Sequence, residues 1–581
     1  MEDNRRQSQS LLSGAMLLMM TTVIVHVINI FYKIPITYII GEIGRGYFTS
    51  AYELYTPIYA ISMAGLPVAV SKMISERMAT GRYKEVRKVR DAAKRVFLIT
   101  GILGTAIILG LAYPFSHYII GSPKAFYSIL AVGPSIFICC VMSTYRGYYE
   151  GLRNMRITGY SQVFECIGKL CFGLLLSQLV LKTGLDHFRA DGTAFGVVCE
   201  NKIDVINAAA PYTAAAAIFG VTIGTFLALI YCFIVYHTKG DGITEEELLG
   251  SPEPEETGKL VKTLISTVIP IATSALVLNV TNLIDTSTVQ SRLKHAVAIG
   301  EGTIRDMYPV INELDIRTDD IKDFLYGCYG VALDFRNLIP TVIMTLGVSA
   351  IPILAASFST NDKENMQGAI RTVIKTATLL AVPAGFFMAA ISEPMLRVLY
   401  PQSLSVDISA PYVAIFGLFA LFLAVSTPIN NMLQAVGRAD IPVKSLLIGA
   451  TVKIVCNFVL VGNPNINIKG APIGTVLCYI VIVLNNMLVL LKVTGCKLNW
   501  FDCLIRPFFV GALAGGAAYA VVYFTSPYFA AAVVCLVSLI AAVLVWLISL
   551  MVFKVLTKSY ILTLPKGKKI AKVLEKLRVL G

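Results

Sequence analysis

The stretch 148–170, "YYEGLRNMRITGYSQVFECIGKL", lies without gaps on 432–454, "MLQAVGRADIPVKSLLIGATVKI". Ile157 and Ile441, Ser161 and Ser445, and Lys169 and Lys453 coincide, each pair within an apolar run, short polar loop and second apolar run. A further pair falls at nearly the same spacing: "GLPVAVSKMISERMATGRYKEVRKV" from Gly65 and "GVSAIPILAASFSTNDKENMQGAIR" from Gly347, each following a proline, Pro57 or Pro340. A long-period repeat constrains architecture before any single element does.

Around these segments the chain is apolar throughout. Of its 581 residues 56% are hydrophobic and 15% charged, where a globular domain carries about 25% charge. Apolar runs recur near the roughly 20 residues that cross a bilayer as helix. Fourteen spans are expected, near 11–40, 48–74, 96–113, 126–145, 159–181, 211–236, 263–290, 326–358, 367–391, 409–432, 443–461, 470–491, 503–524 and 530–553. Uniformly apolar runs of this length are helices, since lipid leaves no partner for an open backbone group. The first run is too long for a signal peptide and lacks a small-residue cleavage site.

The fold class expected is therefore an all-α integral membrane protein of 14 transmembrane helices: two six-helix lobes in a parallel pseudo-two-fold repeat, plus two C-terminal helices. The N-lobe is 1–237, an acidic linker 238–259, the C-lobe 260–491 with an outer loop at 292–325, the last two spans 492–555, and a basic tail 556–581. Arg77, Arg82, Lys84, Arg87, Lys88, Arg90, Lys94 and Arg95 crowd one short loop, and the tail is equally basic, so both termini are expected in the cytoplasm. The net charge of +13 then reads as orientation and attraction to anionic lipid rather than to nucleic acid. The twelve cysteines show no disulfide or zinc spacing.

Ionisable residues inside spans are functional candidates, because each costs about 3 kcal/mol to insert without a partner or cavity. His26, Lys33, Glu53, Glu165 and Lys169 lie in the first half, Asp285, Arg336 and Lys453 in the second. Lys33, two residues before Pro35, is either a cavity cation or a snorkelling side chain; His26 shares its helix face. A cavity between Lys33 and Arg336 would favour phosphate. Glu53 is a partner for Lys33 or simply hydrated. Asp285 stands among Asn279, Thr281, Asn282, Thr286 and Thr288, oxygen groups suited to a hard cation or a proton relay, with a salt bridge to Lys453 as the structural alternative. No Walker loop, zinc-protease motif or nucleophile elbow occurs, which argues against ATP-driven transport and hydrolase chemistry.

The segments "YELYTPIYAISMAGLPVAVSKMISE", "LIDTSTVQSRL", "LYGCYGVALDFRNLIPTVIMTLGVSAIPILAASFS" and "IKGAPIGTVLCY" resemble the stage V sporulation protein B-type branch of the multidrug/oligosaccharidyl-lipid/polysaccharide exporter superfamily, relatives of the lipid II flippases. The resemblance implies two lobes with alternating access and transfer of an undecaprenyl-pyrophosphate-linked glycan precursor to the outer leaflet of a bacterial cytoplasmic membrane. It also implies a coupling Na+ or H+ rather than a tightly bound cofactor, at Asp285, Asn457 and Thr475. Lys453, one turn before Asn457, departs from that pattern and could supply a tethered cation in place of sodium. Partners expected are a lipid-linked oligosaccharide, anionic lipids and envelope-synthesis proteins. The rival readings are an ion-coupled multidrug antiporter and a non-transporting scaffold.

Overall fold

The computed structural model describes residues 11–60, 66–344, 354, 357–358, 360, 362–401 and 403–555. The basic tail at 556–581 and parts of the second and eighth expected spans lie outside them. The described chain is helical apart from short connections and one hairpin pairing Thr193–Ala194 with Val197–Val198. Nine helices among the described residues are long and apolar enough to cross a membrane, and a bent pair, Val406–Leu418 and Ala420–Ala435, makes a tenth if counted as one span. These ten coincide with ten of the expected spans. The other four, at 11–40, 48–74, 263–290 and 326–358, each include positions outside the described residues or side chains.

Contacts divide the chain into two compact units. Unit 1 is Met1–Lys294 with Arg317–Gly327; unit 2 is His295–Ile316 with Cys328–Gly581. The boundary falls inside a helix, Thr257–Met307, rather than in the acidic linker.

Unit 1 is built on α1 (Leu11–Ala60), α2 (Leu66–Ala79), α3 (Tyr83–Pro114), α4 (Phe126–Gly151), α5 (Met155–Asp191) and α6 (Lys202–Lys239). Two spans separated by a loop were expected where α1 lies. The chain instead changes direction at one residue, Gly41, whose φ of 66° is a conformation glycine adopts without Cβ strain. Helices α5 and α6 approach through glycines: a Cβ on Gly220 would stand 2.5 Å from Gly173 Cα, and one on Gly168 would stand 2.8 Å from Gly224 Cα. Gly224 abuts the Glu165 carbonyl. Small residues let membrane helices pack by backbone contact where no hydrophobic force drives them together. This approach fixes the α5 turn that carries Glu165 and Lys169.

The stretch 292–325, expected as an outer loop, is largely helical. Helix α8 (Thr257–Met307), the short α9 (Val310–Glu313) and α10 (Thr318–Arg336) occupy most of it. Three of its charged side chains, Asp320, Lys322 and Asp323, are buried with partners. Lys124 Nζ lies 2.7 Å from Asp320, Lys322 Nζ lies 2.7 Å from Asp323, the Tyr47 hydroxyl donates to Asp320 at 3.2 Å, and Gln290 donates to Ser50 at 2.8 Å.

The acidic linker is strapped to the basic start of α3. Arg87 donates twice to Asp241, at 2.9 and 3.1 Å, the Tyr148 hydroxyl donates to it at 2.8 Å, and the Ile243 N–H at 3.0 Å. Lys84 pairs with Glu253 at 3.0 Å and Arg82 with Glu255 at 3.5 Å. Much of the basic cluster that signalled orientation is thus neutralised within the chain.

Unit 2 centres on α11 (Lys363–Ala390), which packs on α13 (Val406–Leu418) and α14 (Ala420–Ala435) and holds the C-terminal helices α17 (Arg506–Thr525) and α18 (Ala531–Val552). A Cβ on Gly511 would meet Val382 at 2.6 Å. Asp502, just before α17, receives Arg371 at 2.6 Å and Lys375 at 2.9 Å from two successive turns of α11. That ionic anchor joins the last helix pair to the rest of the unit.

Two consequences are measurable. Gly224→Val forces α5 from α6 and should lower stability by about 1–3 kcal/mol, the range for an overpacked contact, seen as earlier thermal unfolding of detergent-solubilised protein; an unchanged transition would refute the glycine contact. Burial raises the Asp241 carboxyl, but the hydrogen bonds from Arg87, Ile243 and Tyr148 outweigh it and hold the group below the usual aspartate range. A folded-state value below the unfolded one makes the strap's contribution complete above about pH 4 and lost as pH falls through the lowered value. The protection factor over residues 241–256, exchange normalised to the intrinsic rate at each pH, should therefore fall on acidification, and in Asp241→Asn at neutral pH.

Candidate functional site

Unit 1 holds a partly open cavity of about 200 Å³ between α1, α4, α5 and α6. Helix α5 contributes Glu165 and Lys169, one turn apart and so on one face. Helix α4 contributes Arg146, 1% exposed. Helix α1 contributes Asn29 from before its break and Tyr52, Tyr55 and Tyr59 from after it. Those tyrosines recur at three- and four-residue steps and form one stripe. Neighbouring ring centroids are 5.7 Å apart for Tyr52 and Tyr55 and 5.0 Å for Tyr55 and Tyr59.

Arg146 Nη2 lies 2.9 Å from Glu165 Oε2, and its Nε donates to Ser161 at 2.8 Å. The Tyr59 and Thr225 hydroxyls each reach Glu165 at 3.4 Å. Lys169 donates to the Asn29 side-chain carbonyl at 3.1 Å and sits over the rings of Tyr32 and Tyr52, 5.0 and 5.4 Å from their centroids. A cation over an aromatic face is held by the ring quadrupole without a carboxylate. Two cations and one carboxylate leave the cavity wall with an excess positive charge.

Of the sequence candidates, Lys33 is half-buried on α1 and within electrostatic reach of Lys169. Glu53 is half-buried and acts electrostatically on Tyr52. The His26 side chain lies outside the described residues. Arg336 is half-buried at the end of α10, in unit 2. Asp285 is buried in unit 1, whereas Lys453, Asn457 and Thr475 are buried in unit 2. There the π-helical turn Asn457–Val461 follows α15 (Asp440–Cys456) and meets α16 (Gly470–Thr494). A Cβ on Gly474 would stand 3.2 Å from Asn457 Oδ1, and Thr475 donates to the Ala471 carbonyl at 3.0 Å. No group of three or more His, Cys, Asp or Glu side chains among the described residues could hold a metal ion.

Arg146, Tyr55 and Tyr59 were missed in the sequence. Arg146 sits in "TYRGYYEG", where it reads as the edge of a span; the tyrosine period was the available signal. Removing one member of a buried ion pair strands the other, at a cost of about 3 kcal/mol. Arg146→Met should therefore destabilise the protein strongly, and adding Glu165→Gln should recover part of the loss. A thermal double-mutant cycle measures this coupling; additive losses would show the pair to be independent.

Comparison with known proteins accords with this architecture. The family described as Polysaccharide biosynthesis protein matches residues 11–190, and MatE matches 327–459. The lipid II flippase MurJ of Bacillus subtilis (strain 168) is 25% identical over 500 residues, 84% of each chain. Stage V sporulation protein B of the same organism is 22% identical over 560 residues, covering 96% of this chain and 98% of its own. Among solved structures, lipid II flippase MurJ in an inward closed conformation superposes with a TM-score of 0.61 at 14% identity, over 93% of this chain and 98% of its own. An inward-facing MATE-family multidrug transporter gives 0.59 at 14% identity, over 80% and 94%. The chain is a multi-pass membrane protein with a lipid II flippase and stage V sporulation protein B among its homologues, and it shares its fold with transporters of the MOP superfamily.

Proposed function

We propose that the protein is a flippase that moves a lipid-linked cell-envelope glycan precursor, carried on undecaprenyl pyrophosphate, from the inner to the outer leaflet of a bacterial cytoplasmic membrane. The observation that carries this reading is the excess positive charge of the unit 1 cavity wall, where Arg146 and Lys169 outnumber Glu165. A polar anionic head group gains there what it loses on leaving water. An exporter of cationic drugs would need the opposite sign, and a scaffold has no use for charges that cost several kcal/mol to bury.

On this reading the chain has fourteen spans with both termini cytoplasmic, in two six-helix lobes and a C-terminal pair, and works by alternating access. Lys33 and Arg336 face the pyrophosphate, with Glu53 and His26 on the same path. Asp285, Asn457 and Thr475 serve the coupling Na+ or H+, or Lys453 supplies that charge itself.

Leaflet transfer of a fluorescent undecaprenyl-pyrophosphate saccharide in proteoliposomes tests the proposal. Wild type should transfer the lipid, and Lys33→Ala and Arg336→Ala should each slow it at least tenfold while eluting as folded protein. No transfer under any Na+, H+ or potential gradient would overturn the flippase reading.

A further inference from the structure

The Tyr55 hydroxyl is an unexplained group on the unit 1 cavity wall. Its side chain is on the cavity wall and 2% exposed, yet the hydroxyl has no hydrogen-bond partner among the described residues. Buried polar atoms are nearly always paired, so an orphan on a cavity wall points to a ligand. The wall around it combines three chemistries. Tyr52, Tyr55 and Tyr59 supply flat aromatic rings in succession along α1. Hydrogen-bonding side chains lie among them, including the Gln162 amide. Lys169 stands at the wall on the Asn29 carbonyl rather than on a carboxylate, so its charge is not cancelled by a direct ion pair there. Glu165 is engaged instead by Arg146.

We propose that this cavity is a subsite for one acidic monosaccharide unit, a sugar ring bearing a carboxylate or phosphate. The inference rests on the flippase reading for its biological meaning and names the part of the cargo that unit 1 recognises. About 200 Å³ accommodates roughly one hexose. The aromatic faces take the apolar C–H face of the ring, as ligand pockets combine apolar walls with a few placed polar groups. The Tyr55 hydroxyl donates to a ring hydroxyl, and Lys169 meets the acid group. A free inorganic anion would satisfy Lys169 and leave the tyrosine stripe without a role; a neutral sugar would leave the charge without one.

Binding to the purified full-length protein in nanodiscs, followed by saturation-transfer NMR, tests this without any transport assay. The probes are glucuronate, glucose 1-phosphate, glucose and inorganic phosphate. Glucuronate and glucose 1-phosphate should bind at least tenfold more tightly than glucose or phosphate. Lys169→Gln should abolish that preference for the acidic sugars. Tyr55→Phe, which retains the ring and its packing, should weaken both acidic sugars severalfold. Equal binding of glucose and glucuronate, phosphate binding as well as glucose 1-phosphate, an unaltered Tyr55→Phe, or no binding by any probe would each overturn the subsite. Lipid transfer that persists without sugar binding would overturn the subsite alone, and sugar binding without lipid transfer would overturn the flippase reading alone.

Discussion

A guanidinium buried among membrane helices is tolerated only when a carboxylate and hydrogen-bond acceptors meet it, and the Arg146–Glu165 pair is where unit 1 satisfies that requirement. The pair joins α4 to α5, the Tyr59 and Thr225 hydroxyls extend it to α1 and α6, and the cavity lies beside it. Its geometry depends on the glycine contacts that let α6 reach the Glu165 backbone. Larger residues there would hold the helices apart, and Thr225 would no longer reach the carboxylate.

The pair also sets the sign of the site. Because Glu165 answers Arg146, Lys169 is held by an amide carbonyl and two aromatic rings. Such partners stabilise an ammonium without neutralising it. A membrane-embedded lysine held in this way has no carboxylate partner among the described residues and is open to an anion. Lys375 is the contrast: it and Arg371 share Asp502, and their effect is to hold the C-terminal helices against α11.

Charge is handled by the same rule away from the cavity. Within residues 317–327 the buried Asp320, Lys322 and Asp323 find partners on α1, near the start of α4 and in one another. The acidic linker lies on the basic start of α3. In both places opposite charges remote in sequence meet in the fold.

The all-helical membrane character was legible in the sequence, because apolar runs of about 20 residues have one stable solution in lipid. Ten of the expected spans coincide with the observed helices for that reason. Lys169 and Glu165 were legible as buried ionisable residues, since hydropathy alone places them inside a span. Their partners were not. Arg146 read as the edge of a span, and the charges at 317–323 read as a loop, because hydropathy is local whereas the groups that satisfy these charges lie more than a hundred residues away in several cases. The sequence by itself determined which segments are helices suited to lipid and which charges need an explanation. Only the tertiary structure decided which of those charges cancel and which remain, because that depends on distances between helices that no single helix contains.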